Sequence, residues 1–387
     1  MPVGDVPSPA SPVSIAAAVD ALRRGDLVVL PTETLYGVFA DATRPGAIER
    51  LREARARLQA PPAAPFTWHA ARVSQVTDLL THDIHRHIAA SVLPGPVRLV
   101  AEGDASAFAS VTQRVSGPGI LDAPLDEAPT TRVLSVRVPS DSTFTAVASE
   151  CEVLVGERVG LIGLGDGRSL PPDASAVAAR AGVSVVIDTG PTIFAAPSNA
   201  IRLTRAGWYR IESTGAWSER TLRSKFETQI LFVCTGNTCR SPMAEAIARH
   251  YLSKPNATKK PTRVASAGVA TSDGLAMTPE AAEALDRLRI DPGRHRSRVL
   301  TREMVEDATV IYAMTRSHAQ QAIALVPAAK DKIQLLDPAG RDIADPIGAP
   351  LATYVQTAET LANFIRTRLT ADGTLTLPRK KGILEPG

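Results

Sequence analysis

The run Cys234-Thr235-Gly236-Asn237-Thr238-Cys239-Arg240-Ser241-Pro242 sets a thiol and a guanidinium at the two ends of one short loop that feeds a helix. Successive backbone N–H groups in such a loop form a nest for an anion, and the helix N-terminus adds positive potential at the same place. The reactive form of a cysteine is its thiolate, so this field is expected to hold the Cys234 thiol below its ordinary range and make it a nucleophile. Arg240 carries a planar fork that can grip two phosphoryl oxygens at once. Ser241 is a candidate donor to the thiolate, and Asn237 a candidate brace for the loop. The chemistry implied is attack by sulfur on a phosphoryl group.

A loop of this kind must be aimed by regular structure on both sides. The apolar run 230–233 precedes it as a strand, and the helix is expected to open at Pro242, since proline in the first turn forfeits no hydrogen bond. Further strands at 263–267, 309–313 and 332–335 alternate with helices at 279–288, 316–325 and 351–369. This alternation predicts a Rossmann-like α/β unit, a parallel sheet with helices on both faces and its ligand site at the carboxyl ends of the strands. Upstream, helices at 15–24 and 46–57 and strands at 27–30, 131–138 and 183–187 make a second α/β pattern. Polar, charged residues 217–227 are expected to be a linker. The expected organisation is one domain over 14–217, a second over 228–370 and a disordered tail over 371–387.

The chain has 387 residues, more than the roughly 250 to 300 that one core usually supports. Hydrophobic residues make up 44% and charged residues 21%, which excludes a chain too polar to fold. A net charge of +3 without a long basic stripe does not by itself argue for nucleic acid. Three cysteines, Cys151, Cys234 and Cys239, do not make a secreted disulfide framework. No secretory signal and no membrane span is apparent, so a cytoplasmic protein without membrane partners is expected. His82, His85 and His87 lack the pattern of a metal site and are expected on a partly exposed helix face, with no metal bound. Gly163, Gly165 and Gly167 do not have the spacing of a dinucleotide loop.

On the loop run, continued through Met243-Ala244-Glu245, the second half resembles the low molecular weight protein-tyrosine phosphatases. Ser266-Ala267-Gly268, His295 with Ser297 and Arg298, Met314 with His318, and Asp345-Pro346 followed by Tyr354 are similar to that family as well. The resemblance implies a phosphocysteine intermediate on Cys234, Arg240 as phosphoryl clamp, Asp345 as acid and then base, a phosphorylated protein as substrate, and no cofactor. Asp337 and Asp342 are the competing carboxylates. Thr238, where tyrosine enzymes carry a bulky aliphatic residue, and Ile347-Gly348 in place of an aromatic pair resemble the protein-arginine phosphatases. The implied substrate is phosphoarginine, with phosphotyrosine as the alternative.

Pro31-Thr32-Glu33-Thr34-Leu35-Tyr36-Gly37, Arg55-Ala56-Arg57, Pro94-Gly95-Pro96, Ser135-Val136-Arg137-Val138-Pro139 and Pro197-Ser198 resemble, in order, motifs of the YrdC-like threonylcarbamoyl-AMP synthases. That resemblance implies a twisted α/β sheet with a concave basic cavity. It also implies a nucleotide or substrate site drawn from Thr34, Tyr36, Arg55, Arg57, Arg137 and Ser198. If the domain is active, ATP, L-threonine and bicarbonate are its substrates, for a tRNA modification, and a nucleotide or RNA is its partner. The chain departs from the family at 160–167, where its Ser-Ala-Asn triplet is missing. It departs again at Ser213, where an arginine is expected, and at Arg98, where a small threonine is expected. Three readings follow: a phosphatase attached to a degenerate synthase-like module, a bifunctional enzyme, and a redox sensor in which Cys234 and Cys239 pair reversibly. In the last case Cys239 is alternatively a small packed residue.

Overall fold

Alternation along the strand Thr228–Cys234 separates two cores in the computed structural model. Ile230 and Phe232 join one cluster with Met243, Leu285, Tyr354, Leu361 and Ile365. Leu231 and Val233 join the other with Val305, Ala322 and Val326. A strand apolar on both sides must be covered on both sides, and helices Arg240–Leu252, Pro279–Arg287 and Leu351–Ala371 lie on one face, Arg302–Asp307 and Arg316–Leu325 on the other. The sheet is wholly parallel, in the order Thr262–Gly268, Thr228–Cys234, Val310–Ala313, Ile333–Leu335. Its register sets Cys234 beside Gly268 and Val233 beside Ala313, so the loop leaves the carboxyl end of a central strand.

The structure describes residues 12–58, 66–116, 120–122, 130–151, 153–158, 162–163, 169–170, 173–254 and 257–375. Contacts divide the chain into two compact units, Met1–Lys225 and Phe226–Gly387. In the first unit a mixed sheet runs through Val185–Val186, Val28–Leu30, Gly37–Asp41, Leu154–Arg158, Thr67–His69, Arg132–Arg137, Val97–Gly103, Asn199–Leu203 and Tyr209–Ser213. Helices Pro12–Arg24 and Ser142–Ser149 bury Leu22, Phe144 and Val147 with Val28, Leu30, Phe39 and Leu154 of the sheet. The second helix starts where the Asp141 carboxylate accepts from the Phe144 N–H at 2.8 Å.

Several expectations need correction. Residues 217–227, expected to be a linker, hold the boundary between the two compact units but carry a helix, Glu219–Phe226. Leu222 and Phe226, one turn apart, are both buried, and Glu219 pairs with Arg223 at 2.7 Å along the exposed side. The helix after the loop begins at Arg240, two residues before Pro242. The N–H that proline lacks in the first turn has no partner within the helix, so Pro242 does not mark the first position. The last helix reaches Ala371, and Leu375 beyond it is buried, so the tail does not begin at 371. Residues 376–387 and most of 160–167 lie outside the described residues; within the latter, Ile162–Gly163 pairs with Ser169–Leu170. Among the described residues no helix is long and apolar enough to cross a membrane.

Candidate active site

The Cys234 sulfur lies at the floor of its loop, 2.9 Å from the Ser241 hydroxyl oxygen and 3.3 Å from the Asn237 N–H that donates to it. Ser241 in turn accepts from the Asn237 side-chain amide at 2.8 Å, and the same amide donates to Ser266 at 2.9 Å. The Ser266 hydroxyl donates to the Glu245 carboxylate at 2.6 Å. A buried polar network this fully connected rigidifies what it holds. Asn237 itself is bent into the left-handed region, φ 52°, which asparagine tolerates better than most residues. Two groups from the segment after the second helix fix that bend: His295 Nε2 donates to the Asn237 carbonyl at 2.7 Å, and the Arg298 N–H donates to its side-chain oxygen at 2.9 Å.

Other loop residues take their places from distant elements. Thr235 is bonded at 2.9 Å to His318, whose second ring nitrogen meets Thr315 at 2.9 Å. Burial, then the Arg240 charge, pushes His318 down to about 4, so the ring is neutral near pH 7. Gly236 follows Thr235 at the partly open crest of the loop, and the Thr238 carbonyl accepts from the Thr278 N–H at 3.0 Å. Gly268 is required by close approach, because a Cβ there would come within 2.5 Å of the Thr235 carbonyl oxygen. Cys239 faces Thr278 and Tyr354, 3.5 and 3.9 Å away, whereas Cys234 faces Ser241. Cys151, Cys234 and Cys239 are all unpaired thiols.

Arg240 spans the loop and the segment around Asp345, and its Nη2 reaches the Thr235 hydroxyl at 3.4 Å. Its Nη1 donates to the Ile343 carbonyl at 2.9 Å, its Nη2 bonds the Asp345 carboxylate, and its buried Nε has no partner among the described residues. Asp345 is part exposed, and its other oxygen accepts from the Ile347 N–H at 3.4 Å. Asp337 is tied to Arg341 at 2.8 Å, and Asp342 accepts from the Arg316 N–H at 2.9 Å. Burial pushes the Cys234 thiol up, against the pull of Ser241, the Asn237 N–H and the Arg240 charge. This direction is opposite to the depressed thiol expected from the field of the loop. The physical reason is that desolvation of the sulfur outweighs a cation whose charge is largely answered by Asp345.

In the first unit, Thr34 and Arg137 come together: Arg137 Nη1 donates to the Thr34 hydroxyl at 2.8 Å, Nη2 to Glu33 at 2.7 Å and Nε to the Gly95 carbonyl at 3.4 Å. The Glu33–Arg137 pair is buried, and Glu33 also accepts from the Ser140 N–H at 3.1 Å. Arg98 and His69 flank Arg137 in register on neighbouring strands, and burial, then Arg137, pushes His69 down to about 3. The remaining expected site residues have other surroundings. Tyr36 donates to the Gly190 carbonyl at 2.8 Å, Arg55 stacks on Phe66 at 3.7 Å, and Arg57 donates to the Ala181 carbonyl at 3.1 Å. Ser198 is buried beside Asn199, whose side chain makes two bonds to the Trp217 backbone. A Cβ on Gly215 would come within 2.0 Å of the Pro197 carbonyl oxygen, so the segment after Ser213 lies directly on this turn.

Motif reading passed over Glu33, His69 and Asn199 as site residues, and in the second unit the bracing roles of Glu245, Ser266 and His295. A buried charge or amide inside an apolar strand pattern was the available signal. His85 is buried rather than partly exposed, and with His82 it donates to backbone carbonyls of Trp208 and Arg205. Among the described residues no group of three or more His, Cys, Asp or Glu is placed to hold a metal ion.

Comparison with known proteins finds a separate family for each half of the chain. Residues 229–371 match the family model described as low molecular weight phosphotyrosine protein phosphatase, and residues 20–211 match the Sua5, YciO and YrdC model described as telomere recombination. A protein-arginine-phosphatase of Bacillus subtilis is 37% identical over 141 residues, covering 35% of this chain and 91% of its own. The low molecular weight protein-tyrosine-phosphatase PtpB of Staphylococcus haemolyticus is 33% identical over 139 residues, 35% of this chain and 94% of its own. Among solved structures, YwlE arginine phosphatase from Geobacillus stearothermophilus is 36% identical, with TM-score 0.34, over 38% of this chain and 94% of its own. Through residues 229–371 the chain belongs to the low molecular weight phosphotyrosine protein phosphatase family, carried on one polypeptide with a YrdC-like unit.

Proposed function

We propose that this phosphatase removes the phosphoryl group from phosphoarginine in proteins through a phosphocysteine on Cys234. The observation that carries the reading is the pairing of a cradled thiol with the partnerless, buried Nε of Arg240 at the opposite end of the loop. A buried donor without a partner, near an anion nest, is suited to take an acceptor oxygen. In the reaction the Cys234 thiolate attacks phosphorus, the bond from phosphorus to the guanidino nitrogen breaks, and Asp345 gives its proton to that nitrogen. Water then attacks the phosphocysteine while the Asp345 carboxylate takes the proton, releasing phosphate and the thiolate. Loop amides of Thr235, Gly236, Thr238 and Cys239 receive the phosphoryl oxygens, while the Asn237 N–H and Ser241 donate to the sulfur as it leaves.

For arginine over tyrosine, the support is chemical. Thr238 is half-buried, and its hydroxyl is 3.7 Å from the Cys239 sulfur, a weak partner that leaves it available to a polar guanidinium group. On the Asp345 side the wall is Ile347, 67% exposed, followed by Gly348, with no ring to sandwich a phenol. Thr238→Ile is expected to lower the ratio of kcat/KM for phosphoarginine peptide to that for phosphotyrosine peptide by about tenfold, since an unpaired polar substrate group is then left against an apolar wall. An unchanged ratio would locate the preference elsewhere.

The modules proposed are 14–217, YrdC-like, and 228–370, phosphatase; the two compact units support this division. The first module is proposed to bind nucleotide or RNA while making little or no threonylcarbamoyl-AMP. Ser213 offers no charge to a phosphate, and every nitrogen of the Arg137 fork is already engaged. The full chain carrying Cys234→Ser, given ATP, L-threonine and bicarbonate, is expected to show no threonine-dependent pyrophosphate release above background. Robust turnover would establish the bifunctional reading instead.

A further inference from the structure

A second basic cavity lies in the phosphatase unit, behind the phosphate loop. It occupies about 280 Å³ between the helix Arg240–Leu252 and the segment 292–298. Its charged lining is Arg249, Arg294, Arg296 and Arg298 against Glu245, with His295 at the base. Four guanidinium groups face one carboxylate, and burial holds His295 on the neutral side. Arg249 bonds Glu245, and Arg298 approaches it at 3.8 Å. Arg294 and Arg296 are exposed and have no ion-pair partner among the described residues. The surplus of positive charge is therefore concentrated in a concave space, where field lines are focused.

We propose that this cavity is a binding site for an oligophosphate anion, separate from the loop at Cys234. Guanidinium forks take phosphoryl oxygens in pairs, and four of them around one space exceed what a single phosphoryl group can engage. Among the described residues no Phe, Tyr or Trp lines the cavity, so the recognised part is a phosphate chain and not a stacked base. Glu245 is the resident competitor: an oligophosphate draws Arg249 and Arg298 away from it. Glu245 also accepts from Ser266, which accepts from Asn237, so the site is joined to the loop by continuous hydrogen bonds.

The test uses the full chain with the Cys234 loop saturated by orthovanadate, and inorganic tripolyphosphate as the titrant in calorimetry. Binding is expected to persist under vanadate and to weaken steeply as salt is raised. The double variant Arg294→Ala/Arg296→Ala is expected to lose about tenfold or more in affinity, with unchanged kcat/KM for p-nitrophenyl phosphate and an unchanged melting temperature. ATP binding as well as tripolyphosphate, with AMP silent, supports recognition of the phosphate chain; markedly tighter ATP would overturn it in favour of a nucleotide site. Loss of all tripolyphosphate binding under vanadate, or equal affinity in the double variant, would overturn the proposal. Neither outcome depends on which phosphorylated residue the enzyme prefers.

Discussion

Cys234→Ser is expected to remove hydrolysis of p-nitrophenyl phosphate by roughly 10⁴-fold or more, because an alcohol in that position is not ionised and cannot replace a thiolate as nucleophile. The exchange of sulfur for oxygen leaves the surrounding bonds to Ser241 and the Asn237 N–H available, so the fold should persist and its melting temperature should barely move. Arg240→Ala is expected to cost roughly 10³-fold, the scale seen when a preorganised donor to developing charge is removed. It also deletes the bond to the Ile343 carbonyl, so a modest loss of stability accompanies it. Retention of more than a few per cent of activity by the serine variant would refute the sulfur nucleophile. The pH dependence follows from burial of the sulfur: with the thiol pushed up, alkylation of the empty enzyme by iodoacetamide should still be accelerating with pH above neutrality.

Asp345→Asn is expected to act in two opposite directions. As an acid, Asp345 matters most where the departing group is a strong base, so roughly 10²-fold or greater slowing is expected for alkyl phosphates and phosphoarginine, and much less for nitrophenyl esters. As a partner, Asp345 answers the charge of Arg240. Asparagine has no charge to do so, and the guanidinium is left to act on the sulfur. The thiol should then fall relative to wild type, and alkylation at a fixed pH near 7 should be faster even as turnover is slower. Equal slowing across the leaving-group series would count against the acid role. Alkylation no faster than wild type would mean that the ion pair has no bearing on the thiol.

The loop was legible because its chemistry is contiguous: nine residues carry nucleophile, clamp and helix start together, and an apolar strand announces where they emerge. The parallel sheet was legible for a related reason, since Ile230 to Val233 is apolar without alternation and must be buried on both faces. What could not be read was where side chains with several rotatable bonds settle. Arg240 meets both Thr235 of the loop and Asp345, which only the packed structure shows; that burial of the sulfur outweighs the pull of this cation was equally beyond the sequence. The bracing of Asn237 by His295, Arg298 and Ser266 joins residues up to 61 positions apart, a relation that no local spacing encodes. Polar composition likewise hid the helix Glu219–Phe226, whose single buried pair, Leu222 and Phe226, is too short a period to stand out. In the first unit the strand motifs marked Arg137 but not that Glu33 would consume it.

The pair between Arg240 and Asp345 has a bearing on how a turnover cycle ends. In the proposed mechanism, orthophosphate released from the phosphocysteine would share the loop with a carboxylate that is tethered within reach of the same guanidinium. A tethered competitor acts at high effective concentration, whereas the departing anion is diluted the moment it leaves. Reclosure of the pair therefore drives product out, and the enzyme should tolerate accumulated orthophosphate better than a loop with a permanently exposed arginine would.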